Sequence, residues 1–388
     1  MMILIATAAT PLRAEADTGW SATPVASSRA STLDCAQLLF VGVRGSGEQT
    51  PYGTTISAFQ QQLASQTQKN RPDLSVHQVY LDYPAAALDQ LNLDSIEDMV
   101  LPNGSASASP YFGSVDAGVS ELERLASSES ARCPNQKLLV AGFSQGAEVV
   151  TRAVASGKLD GSTLGVVLLG NPLHYEGQNV NELDGSASNR AYGLTSALYF
   201  LRSQAGSAPA SDRQAQVQKL LTTLFSMYAG TVDTSALNSA MSSVGATIPG
   251  EDAPHTWSVC MSDDSVCDSS GALSRLLTST STVQQERDRT RAPHESYTPA
   301  NLAKTLDAVQ AKIDAQPVQH PATAVAAKHF PLLVVGIGVA VVIVAGAVIL
   351  GLRRRVARNQ TGPTLGQQPA SVEFGDALDD EQAAQDDQ

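Results

Sequence analysis

A serine held between glycines, where a strand gives way to a helix, has the setting of a nucleophile. Gly142-Phe143-Ser144-Gln145-Gly146 is a G-x-S-x-G pentapeptide. The apolar run Lys137-Leu138-Leu139-Val140-Ala141 enters it, and a helical pattern through Ala147, Val150 and Val154 leaves it. The glycines give room for a strained turn that lifts the hydroxyl above a sheet. The helix N-terminus then offers N–H groups where negative charge develops.

Such a serine needs a base, and the base needs an orienting carboxylate. Of six histidines, His320 and His329 lie in a Pro/Ala-rich segment and His77 lies inside a strand pattern. His174 follows one strand and His255 precedes another. His294 occupies a loop, Ala292-Pro293-His294-Glu295-Ser296-Tyr297, before the last helical pattern. In a Ser, Asp, His chain order the base falls there. Upstream, Cys260-Met261-Ser262-Asp263-Asp264-Ser265-Val266-Cys267 encloses two carboxylates between cysteines. If those cysteines pair, a small ring holds the acid rigid.

Positioning these groups requires a stiff scaffold, and the hydrophobic pattern supplies one. Strands are predicted at 38–43, 77–83, 137–143 and 165–170, with a short one at 256–261. Helix faces fall between them: Ile56, Phe59 and Leu63; Val115, Val119, Leu122 and Ala126; and finally Leu302, Leu306, Val309 and Ile313. This alternation predicts an α/β fold with a doubly wound, mainly parallel five-stranded sheet. A stretch at about 175–255 exceeds a crossover loop and forms a helical insertion. In it Val217, Leu220, Leu221, Leu224, Phe225 and Tyr228 share one face. That face is expected to be buried, either as a cap beside Ser144 or packed on the scaffold away from the cleft. The arginines Arg287, Arg289 and Arg291 read as a solvated loop.

The chain has 388 residues, 43% hydrophobic and 16% charged, with a net charge of -13. Outside Arg353–Arg358 no basic stripe appears, which argues against nucleic acid as a partner. Four cysteines, Cys35, Cys133, Cys260 and Cys267, fit two disulfides in an oxidising compartment, with three pairings open. The spacings do not suit zinc, and neither a metal nor another cofactor is called for. Residues 1–16 read as a signal peptide, apolar through Ala9 and ending in Ala14-Glu15-Ala16, although a basic start is missing. Residues 17–33 are rich in Ser, Thr and Ala and are expected to be disordered. A hydrolase domain is assigned to 34–316, and a stalk to 317–331. Residues 332–352 are an uncharged apolar run, long enough at about 1.5 Å per residue to cross about 30 Å of hydrocarbon. The arginines that follow belong in the cytoplasm, with 353–388 as an acidic tail. This is a single-pass type I membrane arrangement with the domain outside the cell.

Four pieces in order carry a resemblance to a known family: Val41-Gly42-Val43-Arg44-Gly45-Ser46-Gly47-Glu48, the elbow, the Cys-bounded loop with Asp264 and Val266-Cys267, and Pro293-His294 with Tyr297. From Cys35 to Ile313 the chain resembles cutinases, acetylxylan esterases and their bacterial cell-envelope relatives. The resemblance implies an α/β-hydrolase fold and a catalytic triad of Ser144, Asp264 and His294, with Asp263 as the alternative acid. It implies an oxyanion hole from the N–H groups of Ser46 and Gln145, and disulfides Cys35–Cys133 and Cys260–Cys267. The expected activity is serine-esterase hydrolysis of a lipid, polyester or acylated-glycan ester. The alternatives are a carbohydrate deacetylase or a non-catalytic surface-binding domain on the same fold. The insertion, the long spacer before His294 and the apolar C-terminal run depart from compact family members.

Overall fold

The computed structural model describes residues 18–87, 100–101, 110–159, 161–188, 190–278 and 280–317. The expected signal segment, the stalk beyond Pro317, the 332–352 run and the tail lie outside the described residues. Among the described residues no helix is long and apolar enough to cross a membrane.

Two short strands, β1 (Gly19–Trp20) and β2 (Val25–Ala26), precede the five expected ones. The latter are β3 (Leu38–Val43), β4 (Ser75–Tyr80), β5 (Lys137–Phe143), β6 (Thr163–Leu169) and β7 (Thr256–Val259). The sheet therefore has seven strands rather than five. Their order is β1-β4-β3-β5-β6-β7, with β2 also on β4, and every pairing is parallel. Residues 18–33 are ordered, contrary to expectation. Trp20 packs on Phe40 at 5.5 Å, Ser21 N–H bonds Val76 O at 2.8 Å, and a 3-10 turn covers Ser27–Thr32. One aromatic anchor and a strand edge outweigh a polar composition.

The described helices are α1 (Gly53–Asn70), α2 (Pro110–Arg132), α3 (Gln145–Ala155), α4 (Leu194–Gly206), α5 (Arg213–Ala229), α6 (Thr234–Ser243), α7 (Ser270–Leu277), α8 (Val283–His294) and α9 (Ala303–Asp314). Strand side chains alternate between two cores, as period two requires. Val41, Val140 and Val166 meet Leu122 of α2 and Val150 of α3 on one face. Phe40, Leu139 and Val167 meet Phe59 of α1 and Leu306 of α9 on the other. Both faces are covered, which explains why the strands read as continuous apolar runs.

Winding reverses between β3 and β5, because β4 lies on the far side of β3. In open parallel sheets a ligand crevice forms at the carboxyl ends of the strands beside such a reversal. Here those ends are Val43 and Phe143. They lead into Ser46 and Ser144.

The insertion folds as α4, α5 and α6. The apolar face of α5 divides in two. Leu224 and Met227 are buried, whereas Val217, Leu221, Phe225 and Tyr228 are 40, 39, 54 and 67% exposed. Burial of the whole face is thus corrected. At 3.6 residues per turn the apolar positions, Met227 included, sweep roughly 160°, about one and a half times the ~100° stripe that packing on one side uses. The Arg287–Arg291 stretch is likewise helix and not loop, and His294 is the last residue of that helix, α8.

Candidate active site

Ser144 follows β5 and caps α3 with φ 54° and ψ -122°. A left-handed backbone at a non-glycine residue costs on the order of 1–3 kcal/mol and is tolerated where the surroundings fix it. Its N–H donates to Leu169 O at 2.9 Å, and its carbonyl accepts Ala147 N–H at 2.9 Å. The elbow fits only with glycine at 146, where any Cβ would run into the Val43 carbonyl. Ser144 is 5% exposed.

The acid loop is bounded by the Cys260–Cys267 disulfide, and Cys35–Cys133 joins the approach to β3 with the end of α2. Both expected pairings are present. Within the ring Asp264 is fully buried. Both its carboxylate oxygens lie 2.9 Å from His294 Nδ1. It also accepts Val266 N–H at 3.0 Å and the Tyr297 hydroxyl at 2.6 Å. Burial, with the Asp264 carboxylate beside it, pushes the Tyr297 phenol well above the usual range, so it stays a donor. Asp263 turns outward in the left-handed region, φ 64°, and contacts Asp268 rather than His294.

The imidazole is fixed on its other side by stacking. His294 lies on Phe143 with ring centroids 4.7 Å apart and planes 28° apart, and Tyr297 meets both rings edge-on. Phe143 immediately precedes Ser144, so the stack brings the His294 ring to the strand end that leads into Ser144. Among the described residues Ser144 Oγ makes no hydrogen bond to His294.

The side chains of the two residues expected to form the oxyanion hole share one acceptor. Ser46 Oγ donates to Ala86 O at 2.7 Å, and Gln145 Nε2 reaches the same carbonyl at 3.4 Å. Among the described residues the backbone N–H groups of Ser46 and Gln145 have no acceptor, as the first N–H of a helix normally lacks one. The Ser46 loop is clamped from below. Buried Arg44 donates to Glu48 O at 3.0 Å, Leu81 O at 3.2 Å and Tyr83 O at 2.6 Å. Glu48 accepts Gly45 N–H at 2.7 Å and Thr54 N–H at 2.9 Å.

A further buried acid supports α3, the helix that Ser144 caps. Glu148 of α3 accepts the Tyr111 hydroxyl at 3.0 Å, the Thr195 hydroxyl at 3.0 Å and Arg152 Nη2 at 2.9 Å. It thereby ties α2 and α4 to α3. His174 is buried, and burial lowers it to about 4, leaving a neutral ring. Among the described residues no cluster of three or more His, Cys, Asp or Glu side chains is arranged to hold a metal.

Sequence reasoning missed the roles of Tyr297, Phe143, Arg44 and Glu48. Tyr297 stood among the matching pieces without a function, and nothing local predicts that Phe143 carries the imidazole. The helix carrying His294 had one readable signal, the capping box of Thr282 and Gln285.

A family model described as Cutinase matches residues 34–288, a span that includes Ser46, Ser144 and Asp264 and stops short of His294. No curated protein matches the chain. Similar solved structures include a cutinase-like protein from Cryptococcus sp., 18% identical, with a TM-score of 0.38 and 71% of this chain and 96% of that one covered. An acetyl xylan esterase is 15% identical, with a TM-score of 0.40 and coverage of 72% and 99%. Trichoderma reesei cutinase with a phosphonate inhibitor is 16% identical, with a TM-score of 0.35 and coverage of 73% and 78%. The family match covers the sheet, the elbow and the acid loop in one span, and on it the chain belongs to the cutinase family.

Proposed function

We propose that this chain is a serine esterase that cleaves carboxylic esters of lipid or polyester type through an acyl-enzyme on Ser144. The observation that carries the reading is the buried Asp264 carboxylate at 2.9 Å from His294 Nδ1, with the His294 ring stacked on Phe143 beside a strained Ser144. A solvated surface histidine has no use for such a mounting.

In this mechanism neutral His294 removes the Ser144 proton through Nε2 as Oγ attacks the ester carbonyl. The Ser144–His294 hydrogen bond closes when substrate excludes water, since such bonds are often long in the free enzyme. The N–H groups of Gln145 and Ser46 stabilise the tetrahedral oxyanion, each worth about 10²–10³ in rate. The imidazolium then protonates the leaving alcohol. Water, deprotonated by His294, attacks the acyl-enzyme and releases the acid. Asp264 holds the Nδ1–H tautomer throughout.

In the same reading residues 332–352 anchor the domain to a membrane as a type I span, with the disulfide-bonded domain outside. Protease added to intact cells should cut the stalk and spare the acidic tail; a protected domain with a lost tail contradicts this orientation.

The chemistry is tested with a panel of acetyl, butyryl and long-chain esters together with acetylated xylan. Turnover preceded by a burst of alcohol supports an acyl-enzyme. Deacetylation of xylan alone would move the reading to a carbohydrate deacetylase. A folded protein that hydrolyses none of them would leave the surface-binding alternative.

A further inference from the structure

The sequence as a whole holds 38 acidic and 25 basic residues. Three helices of the described domain reverse that balance. α5, α7 and α8 carry Arg213, Lys219, Arg275, Arg287, Arg289 and Arg291 against only Glu286 and Asp288.

These helices are joined into one flank. α5 packs on α7. Arg275 on α7 lies within electrostatic range of Glu286, of the loop carboxylate Asp263 and of Tyr228, near the end of α5. Arg275 donates to both carboxylate oxygens of Glu286 on α8, at 2.8 and 2.7 Å. α8 ends in His294. Arg289 and Arg291 stay exposed, with loose contacts of 3.7 Å to Glu286 and 3.8 Å to Asp288. Surface pairs of that kind hold little free energy and exchange readily for other anions.

The same flank bears the exposed stripe of Val217, Leu221, Phe225 and Tyr228, which extends about 16 Å along the axis of α5. A second protein is a poor occupant. Even a fully covered aromatic side chain buries only about 150–250 Å². Four partly exposed side chains therefore fall well short of the ~800 Å² per partner of a stable interface. A bilayer surface demands no such area and no shape match. It takes a narrow apolar stripe to a depth of about 5–10 Å beside basic residues. It is also within reach: the described chain ends at Pro317, and the apolar run begins at Leu332. Fifteen residues extend to at most about 50 Å.

We propose that the flank of α5, α7 and α8 docks on an anionic phospholipid bilayer. Val217, Leu221, Phe225 and Tyr228 enter the interface, while Arg289 and Arg291 meet headgroup phosphates. The assignment rests on the reading of residues 332–352 as a membrane anchor and is independent of the catalytic roles.

The test uses the full chain carrying Phe225→Trp, reconstituted in phosphatidylcholine–phosphatidylglycerol vesicles with brominated acyl chains. Its emission should fall by about half relative to unbrominated vesicles, the depth expected of an interfacial helix, after subtraction of the wild-type signal from Trp20 and Trp257. The loss should shrink in pure phosphatidylcholine. Thr222→Trp, on the polar side of α5, should show little of it. No excess quenching over wild type, equal quenching at 222 and 225, or indifference to phosphatidylglycerol would each overturn the proposal. Shielding from aqueous iodide without quenching by bromine would assign the stripe to a second copy instead. Adding Ser144→Ala should leave the quenching unchanged, so failure of the esterase reading and failure of this one are told apart.

Discussion

Asp264 and Phe225 are opposite cases of how this domain treats its side chains. Asp264 is a charge with no solvent access, and its partners are His294, Tyr297 and the Val266 N–H. Phe225 is a large apolar ring left more than half in water, while Gln216 on the same helix is buried and donates to Pro209 O at 3.3 Å. A buried carboxylate is tolerable only when hydrogen-bonded, and removing a partner costs more than the bond is worth. An exposed ring costs the fold little by comparison. The acid loop is therefore where substitutions should damage function, and the outer stripe of α5 is where they should not damage stability.

The widest contrast lies between neighbouring acids. Asp264→Asn should lower kcat/KM by about 10⁴, since the amide favours the wrong imidazole tautomer. Asp263→Asn should stay within about twofold of wild type. Steady-state kinetics on a soluble acetyl ester checks both, and a damaging Asp263→Asn would exchange their roles.

The second contrast sits on one helix. Leu224→Ala should cost about 2–5 kcal/mol in urea unfolding. Leu221→Ala and Phe225→Ala should remain within about 0.5 kcal/mol. Equal losses at all three would mean that the stripe is packed and that the division of α5 is wrong.

The strained turn at Ser144 and the loops that bring Asp264 to His294 were legible because each sits in a short motif whose geometry is local: glycines for the turn, cysteines for a ring, a proline before the histidine. The strands were legible because two-sided burial leaves uninterrupted apolar runs. What escaped depends on distant packing. Trp20 orders a segment whose composition favours disorder, because β4 offers it an edge. α8 has almost no apolar face, so periodicity misses it, and it is held by Arg275–Glu286 and the His294–Asp264 contact. The α5 pattern revealed a helix but not which half of its apolar arc meets the core.

A smaller loss than that of Asp264→Asn should come from Tyr297→Phe. Loss of the 2.6 Å donor leaves the buried Asp264 carboxylate one hydrogen bond short. Steady-state kinetics on a soluble acetyl ester should show about a tenfold loss of kcat/KM with the fold kept. Activity equal to wild type would remove Tyr297 from the positioning of the acid.

The central claim is that Ser144 is a nucleophile activated by His294. Fluorophosphonate labelling of the full chain, followed by peptide mapping, tests it most directly. The account predicts a single adduct on the Gly142–Gly146 peptide, at Ser144, that His294→Ala slows by about 10³ or more while the fold is kept. A label on another serine, or undiminished labelling of Ser144 in His294→Ala, would contradict it.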